Sequence, residues 1–215
     1  IISPAFLIDS SIGPFLLPLA GISGAAGVIF FLYLLTKGFG HQGVTYMLLV
    51  GIAVNAIAGV AIGILTYISS DAELRTLTFW TTGSFGGVTW NLLIPAIIVI
   101  LGAMLYMAPA YRALDLIQLG EVEAYRLGVD VKGLKYRVIM SAAAAVGASV
   151  ALSGMIGFVG LVVPHVARML GGVSHRYLLP ASATLGAALM ISADMLARMV
   201  VQPAELPIGL ITSAI

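Results

Sequence analysis

Gly154-Met-Ile-Gly-Phe-Val-Gly-Leu-Val-Val-Pro-His-Val-Ala-Arg168 places Pro164, His165 and Arg168 at the end of a glycine-spaced apolar run. At 158–170 the run is too short for an ordinary membrane crossing, so it predicts a short buried helix or a re-entrant segment. Either is tolerated only where protein or water surrounds it. The rest of the chain has the same solvent: 60% of residues are hydrophobic, 9% are charged, and mean hydropathy is +1.11. That composition describes an all-α, polytopic membrane protein.

Working outward, apolar stretches at 15–35, 44–68, 92–108, 138–156 and 178–200 have the length of spanning helices. With 158–170 and the final run 206–215, they predict about six to seven transmembrane helices in one domain over 1–215. Ile1 in place of an initiator Met, and a last run of only about 15 Å at ~1.5 Å per residue, predict a fragment cut at both ends. Counting 158–170 as one crossing puts eight of the ten basic residues on one side: Lys37, Arg112, Arg126, Lys132, Lys135, Arg137, Arg168 and Arg176. That side is cytoplasmic by the positive-inside rule, which leaves Arg75 and Arg198 external. Without that crossing, Arg198 and the C-terminal run change sides.

Two connections read as soluble. Residues 69–90, external, hold Asp71-Ala-Glu-Leu-Arg-Thr-Leu-Thr-Phe-Trp80, a short helix capped by Ser70 or Asp71 and broken at Gly83, Gly86 and Gly87. It is either an interfacial belt with Trp80 and Trp90 at headgroup level or a partner-binding segment. Residues 109–137, cytoplasmic, hold Leu119-Gly-Glu-Val-Glu-Ala-Tyr-Arg-Leu-Gly128, a short amphipathic helix closed by a glycine, then Val129-Asp-Val-Lys-Gly133. It lies on the bilayer or docks a cytosolic subunit, and Leu119, Val122, Ala124 and Leu127 cannot all be lipid-directed in so charged a loop.

Chemistry is sparse. No cysteine is present, which removes disulfides and thiolate sites. His41, His165 and His175 match no metal-ligand spacing, and no phosphate-binding Gly-Lys-Ser/Thr loop occurs. Pro164 reads as helix-initiating or kink chemistry, with His165 bonding local backbone. Asp194 lies within an apolar span, but Arg198 four residues on predicts a structural ion pair. The repeats Gly21-x-x-Gly24-x-x-Gly27, Gly59-x-x-x-Gly63 and Gly154-x-x-Gly157-x-x-Gly160 predict close helix packing.

Gly157-Phe-Val-Gly-Leu-Val-Val-Pro-His-Val-Ala-Arg168, Ser174-His-Arg-Tyr-Leu-Leu-Pro180, Ala193-Asp-Met-Leu-Ala-Arg198 and Glu205-Leu-Pro-Ile-Gly209 follow in that order. With Leu119-Gly-Glu121, Leu127-Gly128 and Leu74-Arg-Thr-Leu-Thr-Phe-Trp80, they resemble the FecCD-type permease subunits of bacterial ABC importers for iron-siderophore, haem and cobalamin. The resemblance covers nearly the whole chain, although family members carry several helices before the equivalent of Ile1 and complete the helix begun at Leu206.

The resemblance implies a homodimer in the bacterial inner membrane with the pathway along its axis, two cytosolic ATPase subunits that bind ATP and magnesium, and a periplasmic or lipid-anchored substrate-binding protein. This chain then binds no cofactor or metal and catalyses nothing. The resemblance further implies ATPase coupling by Gly120, Glu121, Glu123, Tyr125, Arg126 and Gly128, docking of the binding protein by Arg198 and Arg75, and a cytoplasmic gate near Val44 and Thr45. Gly157, Gly160, Pro164, His165, Arg168, Asp194, Glu205 and Pro207 carry the structural motifs. The expected function is import of a metal chelate by alternating access. An ion-coupled secondary transporter is the alternative, and a membrane-embedded enzyme lacks convergent polar groups within the spans.

Overall fold

A computed structural model describes residues 43–200 and 206–214, with 23–28, 30, 31 and 34 before them. Every regular element among the described residues is helical: α1 (Gly43–Ile68), α2 (Asp71–Thr82), α3 (Trp90–Met107), a 3-10 turn (Ala108–Ala110), α4 (Tyr111–Ile117), α5 (Glu121–Arg126), α6 (Val131–Ser153), α7 (Val159–Gly171), α8 (His175–Val200) and α9 (Ile208–Ala214). Stretches long and apolar enough to span a bilayer lie in α1, α3 running on into α4, α6 and α8, while α7 is a shorter apolar helix. The expected 15–35 span lies mostly outside the described residues, although 23–28, 30, 31 and 34 are helical. Gly21, Lys37, His41 and Glu205 also lie outside them.

Two helix pairs form the packed body. In the first, α3 packs along α6, and Arg137 sets its guanidinium over the Tyr106 ring at 5.0 Å, so the end of α3 meets the start of α6. Buried positions of the two helices are mostly small: Ala96, Ala103, Ser141, Ala143, Gly147, Ala148 and Ala151. Small residues let helix backbones approach where lipid supplies no hydrophobic drive for association. In the second pair, α7 packs on α8 through Val163 and Ala167, with Val163 against the open face of Gly186. Ala193, Ala197 and Ile208 then join α8 to α9, flanked by Phe85, Met190, Leu206 and Ile211.

A three-way joint links the pairs at one end. Met155 donates its N–H to Trp80 O at 2.9 Å, Ser84 to Ser153 O at 2.8 Å, and Ile208 to Gly83 O at 2.9 Å. These bonds satisfy backbone groups freed where α2 and α6 stop and α9 starts. Glycine makes the approach possible. A Cβ on Gly154 would overlap the Trp80 carbonyl, one on Gly209 the Thr82 carbonyl, and Gly83 and Gly154 hold positive φ angles of 76° and 70°.

Four expectations change or narrow. Val129-Asp-Val-Lys-Gly133 is a helix start and not a connection: Asp130 accepts from Gly133 N–H at 3.1 Å, so α6 begins well before residue 138. Pro164 lies inside α7, which excludes helix initiation and leaves the kink reading, and Phe158 starts that helix at φ 65°, a positive angle on a bulky residue that the glycines around it conceal from sequence patterning. His165 makes no hydrogen bond to local backbone: its ring is exposed, while α7 turns Val163 and Ala167 inward. The periodic glycines differ too, since among the described residues Gly24, Gly27, Gly59, Gly63, Gly157 and Gly160 have nothing within 4 Å of an added Cβ, whereas Gly154 is tightly approached.

Two tests follow from the joint and its flanking cap. Gly154→Ala is expected to lose about 2 kcal/mol through left-handed strain and the carbonyl overlap, whereas Gly157→Ala should leave the thermal unfolding midpoint in detergent unchanged. Equal midpoints would remove the joint as a determinant. At the start of α2, the Ser70 N–H and Oγ both donate to Glu73 Oε2 at 2.9 Å. The backbone bond, then the hydroxyl, hold the Glu73 carboxyl below its ordinary value. A depressed folded pKa gives stability present above the unfolded value of about 4.3 and lost as pH falls through the folded one. Amide exchange in the first turn of α2 should therefore rise on acidification below that range, and Glu73→Gln should abolish the pH dependence.

Candidate functional site

The chemistry-bearing residues collect at the two ends of α6, about 34 Å apart at ~1.5 Å per residue. At its start sits the segment α4–α5. Gly120, at φ 107°, turns the chain into α5, and the helix closes with Gly128 at φ 87°. Gly128 N–H reaches Tyr125 O at 3.0 Å and Val129 N–H reaches Ala124 O at 2.9 Å, the paired bonds of a Schellman end. Two glycines therefore fix the length of a helix that lacks the turns to be stable alone.

One face of α5 is anchored. Ala124 is fully buried and Glu121 Oε1 meets Lys135 Nζ at 2.7 Å, which ties α5 down onto α6. The other face is bare: Leu119, Val122, Tyr125 and Leu127 are exposed, Tyr125 by 72%. Glu123 and Arg126 pair with each other at 2.9 Å beside that apolar ridge, both largely in solvent. Such a pair contributes ~0 to 1 kcal/mol and leaves its charges available to another surface. An exposed apolar ridge on a rigidly seated helix, rimmed by charge, has the anatomy of a protein contact.

Two residues of this segment escaped the sequence reading. Asp115 on α4 accepts from His175 N–H at 2.7 Å, His175 Nδ1 at 2.7 Å and Ser174 Oγ at 3.2 Å. Gln118 donates to Val173 O at 3.3 Å. These bonds join segments more than fifty residues apart, and no local spacing signals them. Arg168 lines the shallow cleft beside them with Leu114, Ile117 and Gln118.

At the opposite end, Arg75 is exposed on α2, and Arg198 Nε donates to Asp194 Oδ2 at 2.9 Å, the expected i,i+4 pair. Half of the Arg198 side chain remains exposed, and Pro207 enters α9 beside the joint. Val44 and Thr45 start α1, with their side chains outside the described residues. No grouping of three or more His, Cys, Asp or Glu able to hold a metal occurs among the described residues.

Comparison with known proteins gives concordant matches. The model of the FecCD transport family matches residues 1–215. The hemin transport system permease protein HmuU of Yersinia pestis is 49% identical over 175 residues, covering 81% of this chain and 52% of HmuU. The vitamin B12 import system permease protein BtuC of Vibrio parahaemolyticus is 39% identical over 202 residues, covering 94% of this chain and 60% of BtuC. The chain thus spans between half and two thirds of the length of these relatives. Among solved structures, an ABC transporter assigned to the metal-chelate type, in an inward-facing conformation, matches with a TM-score of 0.79 and 31% identity, over 100% of this chain and 72% of that one.

The Glu121–Lys135 contact gives a prediction independent of any partner. Glu121→Gln should speed amide exchange across α5 up to about fivefold, the range of a partly exposed pair, while Glu123→Gln should leave it within error. Equal effects of the two would show that α5 is not seated by this contact.

Proposed function

The chain belongs to the FecCD transport family, and from that premise we propose that it is the transmembrane part of an ATP-driven importer that carries a metal chelate across the bacterial inner membrane. The observation that carries this reading is the seated α5 helix with its exposed ridge, Leu119, Val122, Tyr125 and Leu127. A cytosolic ATPase subunit, which holds the ATP and magnesium, takes that ridge. Leu119, Val122 and Tyr125 fill an apolar recess, and Glu123, Arg126 and the backbone ends at Gly120 and Gly128 fix register at the rim.

The chain makes and breaks no covalent bond. It converts movement of the ATPase pair into a change in which side its cavity faces, which requires that partners bind the two states with different affinity. Two copies form the pathway along their shared axis, with the starts of their α1 helices, at Val44 and Thr45, near the cytoplasmic gate. At the outer end, Arg75 and the half-exposed Arg198 meet acidic residues of a substrate-binding protein. Such pairs steer encounter and orientation more than they add affinity. The hemin and vitamin B12 permeases among the relatives support a bulky metal chelate as cargo.

Proteoliposomes holding the full-length permease, its ATPase and its binding protein test this directly, with haemin, cobalamin and a ferric siderophore as cargo. ATP-dependent accumulation of one of them is expected. The double variant Glu121→Ala/Arg126→Ala and the single variant Tyr125→Ala should each lower uptake about tenfold, the cost of losing ~1.4 kcal/mol at the contact, with membrane insertion intact. Wild-type uptake in both variants would remove α5 as the coupling element, and accumulation driven by an ion gradient without any ATPase would overturn the importer class.

A further inference from the structure

The docking segment is fastened on two sides, to helices of different packed pairs. On one side Glu121 holds α5 to α6, which packs with α3. On the other, Asp115 holds α4 to the start of α8, which packs with α7 and α9. The second attachment is the richer one. A single carboxylate takes three donors, the His175 N–H and Nδ1 and the Ser174 hydroxyl, and Gln118 adds a bond to Val173 O. With Nδ1 giving its proton to Asp115, the Gln118 amide, 3.2 Å from that nitrogen, is left to donate to the Val173 carbonyl.

The geometry also separates a joint from ordinary decoration of a surface. The imidazole is 16% exposed and the carboxylate 34%, so the contact is partly sheltered from competing water. His175 is the first residue of α8, so its N–H is one of the free amides of that helix, and Asp115 accepts it from another element while the Ser174 hydroxyl, just before the helix, donates to the same carboxylate. Meanwhile α4 and α5 run on through Leu119 N–H to Leu116 O at 3.1 Å and Gly120 N–H to Ile117 O at 3.0 Å, which leaves little slack between the two fastenings.

We infer that Asp115 is a positioning residue for energy coupling: through His175 and Ser174 it makes α8 move with the docking segment, so that displacement of α5 drives both helix pairs and not the α3–α6 pair alone. The inference rests on the proposed importer function. If Asp115 only stabilised the fold, its loss would lower assembly and every activity together. A coupling role predicts instead that ATP hydrolysis continues while less cargo moves for each ATP consumed.

The test uses the full-length permease assembled with its ATPase and binding protein in proteoliposomes, scoring cargo accumulated per ATP hydrolysed with whichever of haemin, cobalamin or ferric siderophore the wild type takes up. Asp115→Ala is expected to lower this ratio by about fivefold or more, the lower end of ordinary coupling between sites. Asp115→Asn, which keeps an acceptor for the His175 N–H but offers the ring and the Ser174 hydroxyl no carboxylate, should recover only part of it. A wild-type ratio in Asp115→Ala overturns the inference. Should that variant fail to assemble, His175→Ala, which removes only the ring contact, decides: a lowered ratio in a normally assembled complex supports the inference, and a wild-type ratio overturns it. A wild-type complex whose uptake ignores ATP would instead strike at the proposed function and leaves a different signature, since no variant then changes the ratio.

Discussion

Wherever a helix stops, its free amides and carbonyls must find partners. Here three helix ends meet those needs in one another. The ends of α2 and α6 and the start of α9 exchange main-chain bonds through Trp80, Gly83, Ser84, Ser153, Met155 and Ile208, and the approach is close enough that a methyl group on Gly154 or Gly209 would collide with a carbonyl. The α3–α6 and α7–α8–α9 groups are each held by small-residue seams, so this exchange, with the α4–α5 segment fastened to both groups at the other end, sets how they stand against each other.

The legible part of the fold was the part governed by one-dimensional signals. Apolar length gave α1, α3, α6 and α8 within a few residues at most ends, because a bilayer of fixed thickness imposes a minimum run. Capping chemistry gave α2 and the glycine-closed α5 for the same reason: a freed amide or carbonyl must be met nearby. The start of α6 was misjudged because Lys132, Lys135 and Arg137 look like loop, whereas Asp130 caps a helix that carries those charges clear of the bilayer before its apolar part begins.

Contacts between distant segments were not legible. Asp115 with His175, Glu121 with Lys135 and the Gly83–Gly154–Gly209 approach involve residue types that are common in loops, and only the assembled fold brings them together. Glycine periodicity misled in the opposite direction. Gly59, Gly63, Gly157 and Gly160 satisfy packing motifs and touch nothing within the described chain, whereas Gly83 and Gly209, which belong to no periodic glycine repeat, are approached closely by backbone. The Asp194–Arg198 pair was readable because i,i+4 spacing on one helix is geometry that a sequence states outright.

A joint made of main chain has an evolutionary consequence. Because its bonds run between amides and carbonyls, side chains around it can be exchanged with little effect on the connection, and only the glycines that admit the approach are constrained by shape. Side chains on the surface around the joint are thus free to vary while the way the helices are hung together stays the same. Shape at a few glycines, and not surface chemistry, is what such a scaffold has to keep.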